Sequence, residues 1–351
     1  MSNTWIVAAE KIVNGEGFLD GCLAIEQRLK TQGVAVETLT IDPLKTDWHS
    51  PLAANHFRSG CAPVEALARA RQLIVGGDVE AVVISGHEPL ASGYSREERL
   101  ERMAIYGPDC PLTQAYNDLA ECFIKRQGGD RDLFIRCRDA LYQNYLRTYR
   151  KAGHPVHRLP AARWLEPVTP LFRGVDCANP VVDFEGRVLL CNDRVLKALK
   201  PAALPLLLKG VGLGLLAEDG PGAMEAICDY RHLQQAFDEC VAQAGVDVAA
   251  AVKDERLLLE VYSCYPVVPM AFLLSTGIAS NLTCLPELLE KLPVTVTGGM
   301  NLARAPWNNP ALNGLVDLCA EIRAQGKHGG VLHANGGLGY RQGVALLSCA
   351  S

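Results

Sequence analysis

A cysteine placed at the start of a helix is the first group in this chain that could do chemistry. Residues 59–88, SGCAPVEALARARQLIVGGDVEAVVISGHE, set Cys61 immediately before a run with helical apolar spacing. Free backbone N–H groups and the macrodipole at that position favour an anion and lower a thiol's pKa, so the placement predicts a nucleophile. Free cysteines are also among the most buried residue types, which makes simple packing the competing expectation. Thirteen cysteines with no CxxC pair and no metal-ligand spacing predict reduced thiols and no metal centre.

The elements that would carry Cys61 follow from its neighbours. Ser59 can cap the helix, Pro63 suits its first turn, and Val64, Leu67, Ala68, Ile74 and Val75 recur at helical spacing. Gly76, Gly77 and Asp78 end it, and AVVISG then reads as a strand buried on both faces. Ahead of this unit the pattern predicts strands at 4–12 and 34–41 around a helix at 18–31. Behind it come Arg-rich helices at 111–125 and 131–151, inserted before a strand at 180–193. Residues 202–216 read as a connector running into a strand. A helix at 222–244 leads to a strand at 256–265, helices at 269–276 and 286–291, a strand end in TVTGG, and an amphipathic helix at 312–325. The closing unit GKHGGVLHANGG repeats the order helix, glycine turn, apolar strand roughly 250 residues after its first appearance, which predicts an internally duplicated α/β fold.

Composition excludes several classes. With 351 residues, 49% hydrophobic and 21% charged, the chain can bury a large core, and its net charge of −5 offers no general basic field for nucleic acid. Residues 94–173 hold 14 Lys and Arg against 10 Asp and Glu, a net of +4 that leaves −9 elsewhere; an anionic ligand or a solvated helical face would each account for it. The longest apolar stretch, PAALPLLLKGVGLGLL, is broken by Pro205, Lys209 and three glycines, so no membrane span is expected. The start MSNTWIVAAEKI is too short an apolar run for a signal peptide, and a cytoplasmic location is the expectation. GVGLG at 210–214 does not match GxGxxG.

With the two units side by side, the chain resembles the thiolase superfamily, specifically the sterol-carrier-protein type and its thiolase-like relatives. The opening unit resembles the nucleophile helix, and residues 111–151 resemble the helical loop domain. VTPLFRGVDCANPVVDFEGRVLL, KGVGLG, LEVYSCYP, VTVTGG and HANGGLG follow in the family's order. The resemblance implies a duplicated α/β thiolase fold in five layers, α-β-α-β-α, with halves 1–204 and 205–351 and an inserted helical loop region at 91–173. It also implies acyl-CoA thioesters as substrates with no separate cofactor, a homodimer or higher homo-oligomer, and a possible heteromeric partner subunit.

Family chemistry uses an acyl-carrying cysteine, an oxyanion site, a Gly-His-Pro histidine and a second basic group, because tetrahedral and enolate charge needs donors aimed in advance. This sequence departs at each place. A gapless count from the glycine turn puts Gly60 at the nucleophile position, with Cys61 beside it. Tyr262 stands where the family has His or Asn, while Cys264 keeps that motif's cysteine. Arg304, Ala305 and Pro306 replace Gly-His-Pro, followed by the polar Asn308 and Asn309. His333 falls at the second cysteine's place. Two readings result. In one, Cys61 carries the acyl group, His333 is the base and Tyr262 an oxyanion donor, with Cys264, Gly298, Gly299, Asn308, Asn335, Gly336 and Gly337 holding substrate. In the other, a catalytically degenerate thiolase-fold protein binds acyl-CoA or supports a partner subunit.

Overall fold

The two helix–strand units of the sequence occupy equivalent places in one mixed sheet. The computed structural model describes residues 2–44, 50–154 and 158–349. Its first part runs through β1 (Trp5–Val13), the two-residue β2 (Glu16–Gly17), α1 (Asp20–Thr31), β3 (Val36–Ile41) and the two-residue β4 (His56–Phe57). Next come α2 (Ala62–Gly76) and β5 (Ala81–Pro89). The helical insertion holds α3 (Arg96–Met103), α4 (Leu112–Arg126) and α5 (Arg131–Lys151), after which β6 (Asp183–Cys191) and α6 (Asp193–Leu199) complete this part. The second part comprises β7 (Leu206–Leu215), α7 (Met224–Cys228), α8 (Arg231–Ala244), α9 (Val248–Lys253), β8 (Leu257–Glu260), α10 (Val267–Ser275), α11 (Leu285–Lys291), α12 (Gly299–Leu302), α13 (Pro310–Gln325), β9 (Gly329–Gly336) and β10 (Arg341–Cys349).

The strand order β4-β3-β5-β6-β1-β7-β10-β9-β8 is a mirrored pair. In each half the outer strands pair in parallel, β4 with β3 and β3 with β5 in the first and β8 with β9 in the second, and the inner pairs are antiparallel. The halves join where β1 meets β7 through two residue pairs, Trp5 with Leu207 and Ile6 with Leu206.

Burial explains the layers. Both faces of each half-sheet are apolar and need cover. Between the halves lie α2 and α13, whose Val64, Leu67, Ile74, Leu315 and Ile322 share one core with Ile84 and Leu190 of the first half and Leu332 and Leu347 of the second. On the outer side of the first half, Leu29 of α1 and Val195 of α6 pack on Val83 and Leu189. On the outer side of the second, α8, α10 and the insertion cover Val331, Val344 and Leu346. The result is α-β-α-β-α. Among the described residues, no helix is long and apolar enough to cross a membrane.

The KGVGLG motif has a packing cause. Gly210, Gly212 and Gly214 share one face of β7, and a Cβ there would stand 2.2, 2.0 and 1.8 Å from the carbonyl oxygens of Cys240, Ala236 and His232, at successive turns of α8. The helix therefore rests directly on strand backbone.

Four expectations change. The helix expected at 222–244 breaks, because Tyr230 takes a left-handed φ of 51° between α7 and α8. The strand expected at 256–265 stops at Glu260, where backbone groups turn to other partners: Val261 donates to Val294 and Cys264 accepts from Ala178. TVTGG is not a strand, since the Val296 and Thr297 N–H groups go to the Glu260 carboxylate. β10, absent from the sequence reading, pairs with both β7 and β9 at the centre of the second half.

Because strand and helix backbone touch at β7, Gly212→Ala is expected to destabilise the fold by about 3 kcal/mol or more, through forced separation of α8 from the sheet. Urea unfolding of the variant beside wild type measures it, and a loss below about 0.5 kcal/mol contradicts the close-contact account.

Candidate functional site

The C-terminal ends of β5, β8 and β9 converge on the segment that starts α2. Ser59 does not cap that helix as expected; Cys61 is the cap residue, and the Ser59 hydroxyl instead accepts the Cys61 N–H at 3.1 Å while its backbone takes φ 131°. Strain of this kind in a buried non-glycine residue concentrates at functional sites. At Gly60 a Cβ would stand 2.1 Å from the Tyr262 hydroxyl and 2.3 Å from the Asn335 carbonyl oxygen. The space where a side chain at position 60 would project is thus filled by Tyr262. That hydroxyl has no hydrogen-bond partner among the described residues. Burial holds its pKa well above the ordinary tyrosine value, reinforced by Cys264, Cys61 and Glu88, so it is a neutral O–H at physiological pH.

Cys61 itself lies in the core. It is fully buried, and its Sγ sits against Gly343 of β10, 3.0 Å from where a Cβ would be. Burial, with the Glu65 carboxylate, pushes its thiol pKa well above the ordinary value, opposite to the lowering expected from a helix N-terminus. Desolvation outweighs the dipole because no water reaches the sulfur. His333 is on the other face of the same half-sheet. Leu332 and Ala334 join Cys61 in the central core, whereas His333 stacks on Phe272 in the outer one, with ring centroids 4.6 Å apart. The sheet separates the two side chains.

His333 belongs to a buried chain of hydrogen bonds. Gln342 donates to Asn335 Oδ1 at 2.7 Å and to the Gly339 carbonyl at 2.9 Å, which turns its Oε1 toward His333 Nε2 at 2.8 Å and assigns the imidazole proton there. Nδ1 is left buried without a partner, and burial lowers the pKa to about 4. Asn335 Nδ2 in turn donates to Tyr116 of α4 at 3.1 Å, and Tyr116 donates to the Gly337 carbonyl at 2.8 Å. The Cys264 thiol lies beside the same Tyr116 hydroxyl and has a pKa raised to about 12 by burial.

The glycines singled out in the sequence meet protein groups. A Cβ at Gly337 (φ 59°) would stand 2.1 Å from the Asp219 carboxylate, and one at Gly336 2.7 Å from Ser59 Oγ. Gly298 (φ 92°) and Gly299 (φ 82°) lie against Tyr149 and Tyr145 of α5.

Two participants escaped the sequence reading. Tyr116 is one; Glu88 is the other. Glu88, next to last in β5, is fully buried, and its carboxylate accepts the Asn308 N–H at 2.9 Å and the Asn309 side-chain amide at 3.0 Å. Burial raises its pKa to about 7 against those hydrogen bonds. The only sequence signal was an acid closing an otherwise apolar strand. Asn308 Nδ2 donates to the Asp42 carbonyl at 2.9 Å, while the side-chain oxygens of Asn308 and Asn309 are buried without partners.

A cavity of about 1160 Å³ opens beside this cluster between the insertion and the 296–304 loop. Cys177 and Ala178 are in its wall, and Ala178 donates to the Cys264 carbonyl at 2.8 Å. Arg163 and Arg304 also line it, without an ion pair among the described residues, and Asn301 presents a buried, unpartnered Oδ1. None of Cys61, Tyr262 or His333 lines it. Among the described residues no cluster of three or more His, Cys, Asp or Glu could hold a metal ion.

No family model matches the sequence, and no curated protein matches it. The fold has solved relatives. A monomeric SCP2-thiolase-like protein type 1 from Mycobacterium smegmatis is similar with a TM-score of 0.69 and 17% identity, over 99% of this chain and 78% of that one. The Ltp2–ChsH2(DUF35) aldolase is similar with a TM-score of 0.66 and 14% identity, over 99% of this chain and 98% of that one. The fold is thiolase-like.

His333 supplies a pH test. Its folded pKa lies below the unfolded value near 6.5, so the unfolded chain binds more protons between those values, and stability falls as pH drops from about 6.5 toward 4. The contribution approaches about 1.4 kcal/mol per pH unit. Urea unfolding near neutrality and near pH 5 is expected to show a shallower acid loss in His333→Gln than in wild type; equal slopes would mean the ring is not held neutral.

Proposed function

We propose that this protein binds acyl-CoA thioesters on a thiolase scaffold without forming an acyl-cysteine, and that Tyr262 stands at the reactive end of its site. One observation carries this reading: the Tyr262 hydroxyl fills the space a nucleophile at position 60 would need, while Cys61 is sealed between α2 and β10. Losing a positioned general base costs roughly 10² to 10⁴ in rate, and here both the Gly-His-Pro histidine and an accessible thiolate are missing. The cavity beside the cluster supports binding, with Arg163 and Arg304 available to thioester-borne phosphates. The mirrored strand order supports treating 1–204 and 205–351 as duplicated halves that build the site together. The pairing in the aldolase's name supports a partner subunit.

The neighbourhood of Tyr262 and Glu88 favours a second reading, carbon–carbon cleavage of a β-hydroxyacyl thioester. The Glu88 carboxylate would take the hydroxyl proton as the Cα–Cβ bond breaks, releasing an aldehyde or ketone and leaving the electron pair as a thioester enolate. Tyr262 would donate its proton to Cα and recover one from Glu88. The aldolase of similar fold supports this reading for the scaffold.

Intact-protein mass spectrometry after incubation with acetyl-CoA and a longer acyl-CoA tests the first reading, with calorimetry on the same samples. No acyl-sized mass gain together with measurable binding is expected. An adduct that disappears in Cys61→Ala would overturn it, as would the absence of binding.

A further inference from the structure

The helical insertion is fastened to the second half at a point far in sequence from both. α4 packs on α7, and Cys122 of α4 is half-buried against the core that contains Cys228, the last residue of α7. Cys228 shares one face of α7 with Glu225 and Asp229. One turn beyond Cys122, Arg126 pairs with Glu225 at 2.7 Å and with Asp229, so the face of α4 that carries Cys122 is held against the face of α7 that carries Cys228. These ion pairs are largely exposed and individually weak. Glu225 and Ala226 are exposed, and Cys122 gives a small reagent a way in.

We propose that Cys122 and Cys228 form a thiol–disulfide switch that staples the helical insertion to the second half under oxidising conditions. With oxidised glutathione as oxidant, the Cys122 thiolate attacks the disulfide, forming a protein–glutathione mixed disulfide and expelling one glutathione thiolate. Cys228, on losing its proton, then displaces the second glutathione from Cys122. The balance is one protein disulfide formed, one glutathione disulfide broken and two glutathione thiols released. Among the thirteen thiols, all free in the structure, this pair bridges separate elements across a loop of roughly a hundred residues, where closure constrains the unfolded chain strongly. Tyr116, on the same helix, holds the Asn335–Gly337 end of the site, so the staple would also fix that contact.

The test is peptide mapping of the full chain after treatment with oxidised glutathione, without reduction, beside a dithiothreitol-treated control. The expected product has lost the mass of two hydrogens, joins the peptides containing Cys122 and Cys228, and unfolds at a temperature higher by roughly 5 °C. Cys122→Ser should lose both the linked peptide and the temperature shift; if that variant does not fold, Cys228→Ala serves. Recovery of Cys122 as a free thiol, as a lasting glutathione adduct or joined to any other cysteine would overturn the proposal. A linked pair with no rise in unfolding temperature would overturn the staple.

Discussion

Two groups compete for one volume at the centre of this protein: a side chain at position 60 and the hydroxyl of Tyr262. The contact is 2.1 Å from a Cβ at Gly60, far inside any attainable separation, so glycine and tyrosine imply one another. Everything around the pair follows from it. The chain turns through a strained Ser59 to pass beneath the ring, Asn335 brings its carbonyl to the same glycine, and Cys61 is carried past the site into the helix core. On a thiolase-like fold, the turn that leads into α2 thus meets a neutral phenol.

Burial, more than the helix dipole, sets the protonation of the groups around this contact. An acyl-transfer centre lowers a thiol's pKa and positions a base near neutrality. Here burial raises Cys61 and Cys264 and empties His333 of its second proton, leaving Glu88, with a pKa of about 7, as the group beside Tyr262 poised to exchange protons near neutral pH. Its partners are the Asn308 peptide N–H and the Asn309 side-chain amide, at the start of α13.

Much of the fold was legible because periodicity reports on burial. α2 with β5 and α13 with β9 announced themselves as repeated helix, glycine turn and apolar strand, whereas the glycines of β7 read only as breaks in an apolar run and their contact with α8 was not legible. Side-chain direction was not legible in β9. GGVLHANG is buried on both faces, so no polar alternation told which of Leu332 and His333 faced α2, and the pairing of His333 with Cys61 failed on that parity. Tyr116 meets Gly337 across 221 residues, a contact no local pattern encodes. β10 was lost for the reason β9 was ambiguous: an apolar run with no turn chemistry of its own.

The strand order has a consequence for how the molecule can be assembled during synthesis. β10 is the strand that joins β7 to β9, so the second half-sheet stays in two pieces until residues 341–349 have left the ribosome. The first half can pair its strands early, yet the face beneath α2 is completed only by α13, made some 240 residues later. Such a nascent chain exposes a long apolar seam for most of its translation, which makes it a natural client for chaperones that shield incomplete sheets.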